Sequence, residues 1–176
     1  MEMRAFTLIE VIISTMLLSI ILLGGTAVFY QSLKSSGISD VNSNLNSTLQ
    51  SILNAIKKDV KYAQILGVGD GTRTDCLLAG VNGYSGSSLL INDLNGHGTR
   101  YSLNSELIAS TSAETNQTTY LNTSQIAVQS LQFTWYCLGS DKIKIALSAK
   151  SNALGTGIQV DQDVSIEISL FNSGQN

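Results

Sequence analysis

The sequence predicts an α+β protein: one long N-terminal helix, membrane-spanning in its first half and amphipathic in its second, packed on an antiparallel β-sheet. Three observations predict it. No charged residue stands between Val11 and Tyr30. Apolar residues then recur at helical spacing as far as Ala63. Beyond Val68 the pattern changes to short alternating runs separated by Gly, Asn, Asp and Ser. Proline is absent, so no residue type forces a break in the helix. At 176 residues there is room for one globular domain and an appendage. The net charge of -3, with no basic stripe, argues against direct nucleic-acid binding.

The run Val11–Tyr30 has only Ser14, Thr15, Ser19, Thr26 and Tyr30 as polar side chains. At ~1.5 Å per residue it matches the ~30 Å of a hydrocarbon core. Arg4 and the amino terminus precede it, which keeps the N-terminal end cytoplasmic and sends the rest of the chain across the membrane. A secretory signal peptide cut near Gly25-Thr26-Ala27 and a plain signal anchor are the competing readings. Neither explains Glu10, a carboxylate among Phe6, Leu8, Ile9, Val11 and Ile12.

The stretch Ala5-Phe6-Thr7-Leu8-Ile9-Glu10-Val11 closely resembles the class III signal of type IV pilins and type II secretion pseudopilins. The resemblance implies cleavage by a prepilin peptidase between Ala5 and Phe6, and N-methylation of Phe6 as the first mature residue. It also implies that Glu10 is the family's assembly glutamate, pairing with the amine of a neighbouring subunit. Ala5 stands where the family usually has Gly. The physical reason for the pairing is independent of the family. A carboxylate in a bilayer costs up to ~3 kcal/mol, which a cation from an adjacent subunit offsets. The pair then marks register, as single buried polar groups do in coiled coils.

Past the membrane segment, Leu33, Ile38, Val41, Leu45, Leu49, Ile52, Leu53, Ile56, Val60 and Ala63 form an amphipathic stripe suited to a helix laid on a core. Lys57, Lys58 and Lys61 complement the dipole of its last turns, and Gly67 and Gly69 end it. The expected divisions are a leader at 1–5, a transmembrane and assembly helix at 6–30, its amphipathic continuation at 31–66, and an exported β-rich domain at 67–176. Ser35-Ser36-Gly37 is the expected place for a bend or break.

In the exported half, Ser87–Asn92 and Thr99–Leu103 flank a hairpin turn at Asp93–Gly98, and Leu107–Thr111 reads as a third strand before a polar loop, Ser112–Thr119. Ile126 and Val128 alternate in one parity and Leu131, Phe133, Trp135 and Cys137 in the other, which predicts a bulge near Ser130. Ile143–Ala149 and Val164–Leu170 give two more strands. The order of these segments resembles the J-type minor pseudopilins and the PilW-like minor pilins, which implies a pilin-like fold and a place near the filament tip.

Cys76 and Cys137 lie outside the apolar segment and fit no zinc or CxxC pattern. A disulfide between them in an oxidising compartment and two unpaired buried thiols both remain open. Asp93 and Asn95 are weak calcium candidates, since an EF-hand loop needs a Glu where Asn104 stands; no metal or other cofactor is otherwise expected. His97, the only histidine, belongs to no legible catalytic pattern, so no enzymatic activity is expected.

The resulting expectation is a structural subunit, a minor pilin or pseudopilin, anchored once in a bacterial inner membrane and then part of a surface or periplasmic filament. Its implied partners are other pilin or pseudopilin subunits, the prepilin peptidase, the inner-membrane assembly platform and the membrane itself. Nucleic acid enters only indirectly, through competence. The alternatives are a type II secretion pseudopilus subunit and a membrane-anchored ligand-binding domain.

Overall fold

The computed structural model describes residues 7–151 and 159–171. The chain forms two compact units, Met1–Asp40 and Val41–Asn176. Helix α1, Leu8–Val60, runs through the first and into the second. The helix continues without a break through Ser35-Ser36-Gly37, where a bend or break was expected. With no proline present, Gly37 alone weakens the helix by only about 1 kcal/mol and does not interrupt it.

In the first unit every described large apolar side chain of α1 from Leu8 to Leu33 is exposed. This is the one described helix long and apolar enough to cross a membrane, with a mean hydropathy of 2.3 over its most apolar 18 residues. The Thr15, Ser19 and Thr26 hydroxyls donate to the carbonyls of Ile12, Thr15 and Leu23, so the helix backbone satisfies these three hydroxyls itself.

The second unit is α+β, with α1 packed on antiparallel sheets. Leu45, Leu49, Ile52, Leu53, Ile56 and Val60 of α1 are buried. They share one core with β1 (Gln64–Val68), β3 (Ser88–Asn92), β4 (Gly98–Asn104), β5 (Leu107–Ser112), β7 (Ile126–Tyr136), β8 (Lys142–Ser151) and β9 (Asp161–Ser169). The expectation of a single sheet is corrected to two. A five-stranded sheet has the order β1-β3-β4-β5-β6, where β6 is Thr118–Tyr120; a four-stranded sheet has the order β2-β7-β8-β9, where β2 is Tyr84–Gly86.

The chain passes from one sheet to the other at Ser87, between β2 and β3. The crossing needs close backbone approach. A Cβ on Gly86 would lie 2.6 Å from the Gly69 nitrogen, and Gly69 itself has φ +58°. Both sheets bury one side in the core they share with α1, the first through Ile91 and Tyr101 and the second through Phe133, Trp135, Ile143 and Ile145.

The helix ends at Val60, not at residue 66, and the β-rich region begins at Gln64, not 67. Ala63 N–H bonds to the Val60 carbonyl in a tighter last turn, after which Ile65 and Val68 enter the sheet beside Ile91 and Leu89. Ala63 follows Val60 at helical spacing, so only the pairing with β3 separates strand from helix here. Four strands or helices were not expected: β1, β2, β6 and helix α2 (Arg73–Ala79), the last followed by a 3-10 turn at Gly80–Asn82. The bulge expected near Ser130 is present, as the β7–β8 register shifts between Val128 and Ser130.

Candidate assembly site

Glu10 lies in the first turn of α1 and is exposed. Its N–H bonds to the Thr7 carbonyl at 3.1 Å, as does that of Val11 at 3.3 Å, so Thr7 opens the helix. Thr7-Leu8-Ile9-Glu10 has the spacing of a capping box, and a carboxylate here also faces the positive end of the helix dipole. Among the described residues no donor reaches the Glu10 side chain. Ala5 and Phe6, the expected cleavage and methylation positions, lie outside the described residues.

The structure brings Cys76 and Cys137 together as a disulfide, with Cα atoms 6.0 Å apart. Cys76 is the buried residue of α2 and Cys137 follows β7, so the bridge pins α2 to the end of the second sheet. Arg73, at the start of α2, reinforces the same junction. Its guanidinium donates to both Asp141 oxygens, at 2.7 and 3.3 Å, and lies 5.9 Å from the Trp135 ring centroid. The start of α2 is fixed by Asp75, whose carboxylate accepts from the Thr72 N–H and hydroxyl; the Thr72 N–H above all holds that carboxyl below its usual range.

Asp93 and Asn95 sit in the β3–β4 turn. The Asp93 carboxylate accepts from the backbone N–H groups of Asn95 and His97, both at 2.8 Å, and lies 3.3 Å from His97 Nδ1. These bonds, the His97 N–H first, keep the Asp93 carboxyl below its usual value. The side chain therefore closes its own turn. Among the described residues no three His, Cys, Asp or Glu side chains gather as a metal site.

No protein-family model, curated protein or solved structure matches the chain significantly. The architecture, a long apolar N-terminal helix followed by antiparallel sheets, is consistent with the pilin-like one that the Ala5–Val11 resemblance implies. The apolar helix is likewise compatible with a single-pass membrane anchor.

Sequence reasoning missed three polar anchors. Asp59 accepts from the Tyr101 hydroxyl, Arg73 pairs with Asp141, and Asn122 bonds three backbone groups. Asp59 had a visible signal, as the lone acid between Lys58 and Lys61 on the last turns of a basic helix end. The other two depend on partners 68 and 14 residues away along the chain and left no local pattern.

Proposed function

We propose that the chain is a subunit of a type IV pilus-like filament, a minor pilin or pseudopilin that primes assembly or stands near the tip. Glu10 pairs with the N-terminal amine of a neighbouring subunit. One observation carries this reading: a single carboxylate, within the motif Ala5–Val11, opens an apolar run of α1 that holds no other charge before Lys34. The competing role, complementing the helix dipole, is worth about 0.3–1 kcal/mol. Holding a carboxylate in a bilayer costs up to about 3 kcal/mol, so the dipole alone does not offset it and a cation is needed. Cleavage before Phe6 supplies that cation on every subunit. Intermolecular pairing also sets the stagger between neighbouring helices, which a filament requires.

The test is the state of the native chain in its own cell. Mass spectrometry is expected to find methylated Phe6 as the first residue. Glu10→Gln is expected to lower incorporation into filaments at least tenfold while the amount in the membrane stays unchanged. An intact Met1, a start after Ala27, or normal filaments from the Glu10→Gln chain overturns the proposal.

A further inference from the structure

The Cys76–Cys137 disulfide is sealed inside the domain. Cys76 is wholly buried and Cys137 is only 3% exposed. No protein oxidant reaches two thiols so placed unless the fold opens, so the bond forms before the surrounding elements close. The order of those elements along the chain says when. Helix α2 packs on β2 and β7. The Cys76 sulfur lies 3.2 Å from the Trp135 carbonyl oxygen, 59 residues further on. Arg73 reaches Asp141, 68 residues further on, and β2 is held by its pairing with Phe133–Trp135. Helix α1 and the first sheet, by contrast, are complete at Tyr120. Cys76 therefore stays an open thiol until β7 arrives, bringing Cys137 behind it, 61 residues later.

We infer that Cys76 is the site of a transient mixed disulfide with a thiol–disulfide oxidoreductase on the far side of the membrane, and that Cys137 resolves it as β7 packs. The inference rests on the filament reading above, in which the N-terminal anchor enters the membrane first and the domain follows in chain order. At about 5–20 residues per second of synthesis, the 61 residues give Cys76 a lead of about 3–12 s. Uncatalysed disulfide exchange takes minutes to hours, so a catalyst is needed before the fold closes. The Cys76 thiolate attacks one sulfur of the partner's disulfide, and the partner's other sulfur leaves as a thiolate. The Cys137 thiolate then attacks the Cys76 sulfur, which closes the native bond and releases the partner's remaining sulfur as a second thiolate. The chain's two thiols lose two electrons and two protons, and the partner's disulfide is reduced to a dithiol. With two cysteines only one pairing exists, so an oxidant suffices and no isomerase is required.

The test uses the full-length chain in its own cell, with thiols blocked by acid and alkylation at harvest. Cys137→Ser removes the resolving thiol and is expected to accumulate an adduct with a second protein that reductant releases. Cys76→Ser is expected to accumulate at least tenfold less. A second measurement needs no variant. The disulfide of the purified wild-type chain in detergent is expected to yield to dithiothreitol at least tenfold more slowly than that of the same chain in urea. The inference is overturned by equal or reversed trapping in the two variants, by no adduct or one with glutathione alone, or by equal rates of reduction. Failure of the two readings is separable, because methylation of Phe6 and the effect of Glu10→Gln do not depend on the thiols. If both are as expected and Cys137→Ser traps nothing, the role of Cys76 is wrong and the filament stands. If Glu10→Gln assembles normally, the filament reading itself has failed.

Discussion

The Tyr101 hydroxyl donates to the Asp59 carboxylate at 2.5 Å and ties β4 to the last turn of α1. Tyr101 is buried, and burial first, then the bond to Asp59 and its charge, pushes the phenol well above its ordinary value. A raised value means that the folded state holds the proton more tightly than the unfolded one. The stabilisation is therefore complete below about pH 10 and is lost progressively as pH rises beyond it.

Tyr101→Phe leaves the Asp59 carboxylate without this donor and is expected to cost about 1.5–3 kcal/mol, the range for a hydrogen bond to a charged group. Urea unfolding of the full chain in detergent measures it. The variant is also expected to lose the alkaline weakening above about pH 10 that Tyr101 confers. An unchanged midpoint at neutral pH would show that the bond contributes nothing.

Asn122 stands at the junction of three strands. Its Oδ1 accepts from the buried Ile108 N–H at 2.7 Å, and its Nδ2 donates to the carbonyls of Glu106 and Ile126 at 3.1 and 2.8 Å. Asn122→Ala strands the Ile108 N–H and takes a donor from the Ile126 carbonyl, while the Glu106 carbonyl keeps the Val128 N–H, and a loss of about 2–3 kcal/mol is expected. Asn122→Asp is expected to be no better at neutral pH, because it sets a carboxylate against two carbonyl oxygens. Thermal unfolding of both variants checks this.

The disulfide closes a loop of 61 residues between Cys76 and Cys137. Removing a cross-link of that span is expected to cost about 4 kcal/mol through the entropy regained by the unfolded chain. The double substitution Cys76→Ala, Cys137→Ala and the reduced wild type are expected to show similar drops in urea midpoint. A drop under reduction alone, with the alanine variant unaffected, contradicts the entropic account.

The β4–β5 turn consists of Ser105 and Glu106, with φ of 48° and 68°. Neither residue favours that conformation, which two-residue hairpins normally give to Asn-Gly. The turn is held from outside, since the Glu106 carbonyl accepts from both Asn122 Nδ2 and the Val128 N–H. Glu106→Gly keeps the carbonyl and relieves the backbone. It is expected to raise stability by up to about 1 kcal/mol in the same unfolding assay.

How much of the fold was legible depends on where each residue's information lies. The buried stripe Leu45–Val60 and the strands holding Ile91, Phe133, Ile145 and Ile168 write their periodicity directly into the sequence. The parity change at Ser130 foretold the bulge for the same reason. By contrast, β2 is Tyr84-Ser85-Gly86, with no alternation of its own, and is a strand because it pairs with Phe133–Trp135. Likewise β6, Thr118–Tyr120, is exposed throughout and exists through its pairing with β5. At the candidate assembly site Glu10 was legible because a charge in an apolar run is conspicuous; the exposure of Leu78 and Val81 was not, since exposure is no property of an apolar residue by itself.

The sequence alone determined the apolar first half of α1, the single acid that opens it, the amphipathic second half of α1 and the strand-rich character of the region beyond that helix. Each of these is a local pattern of hydropathy and charge. Only the tertiary structure decided that the strands divide into two sheets, that α1 stops at Val60, that Cys76 meets Cys137, and which leucines are left uncovered. Those outcomes depend on pairings between residues far apart in the chain, and burial is a property of the packed whole.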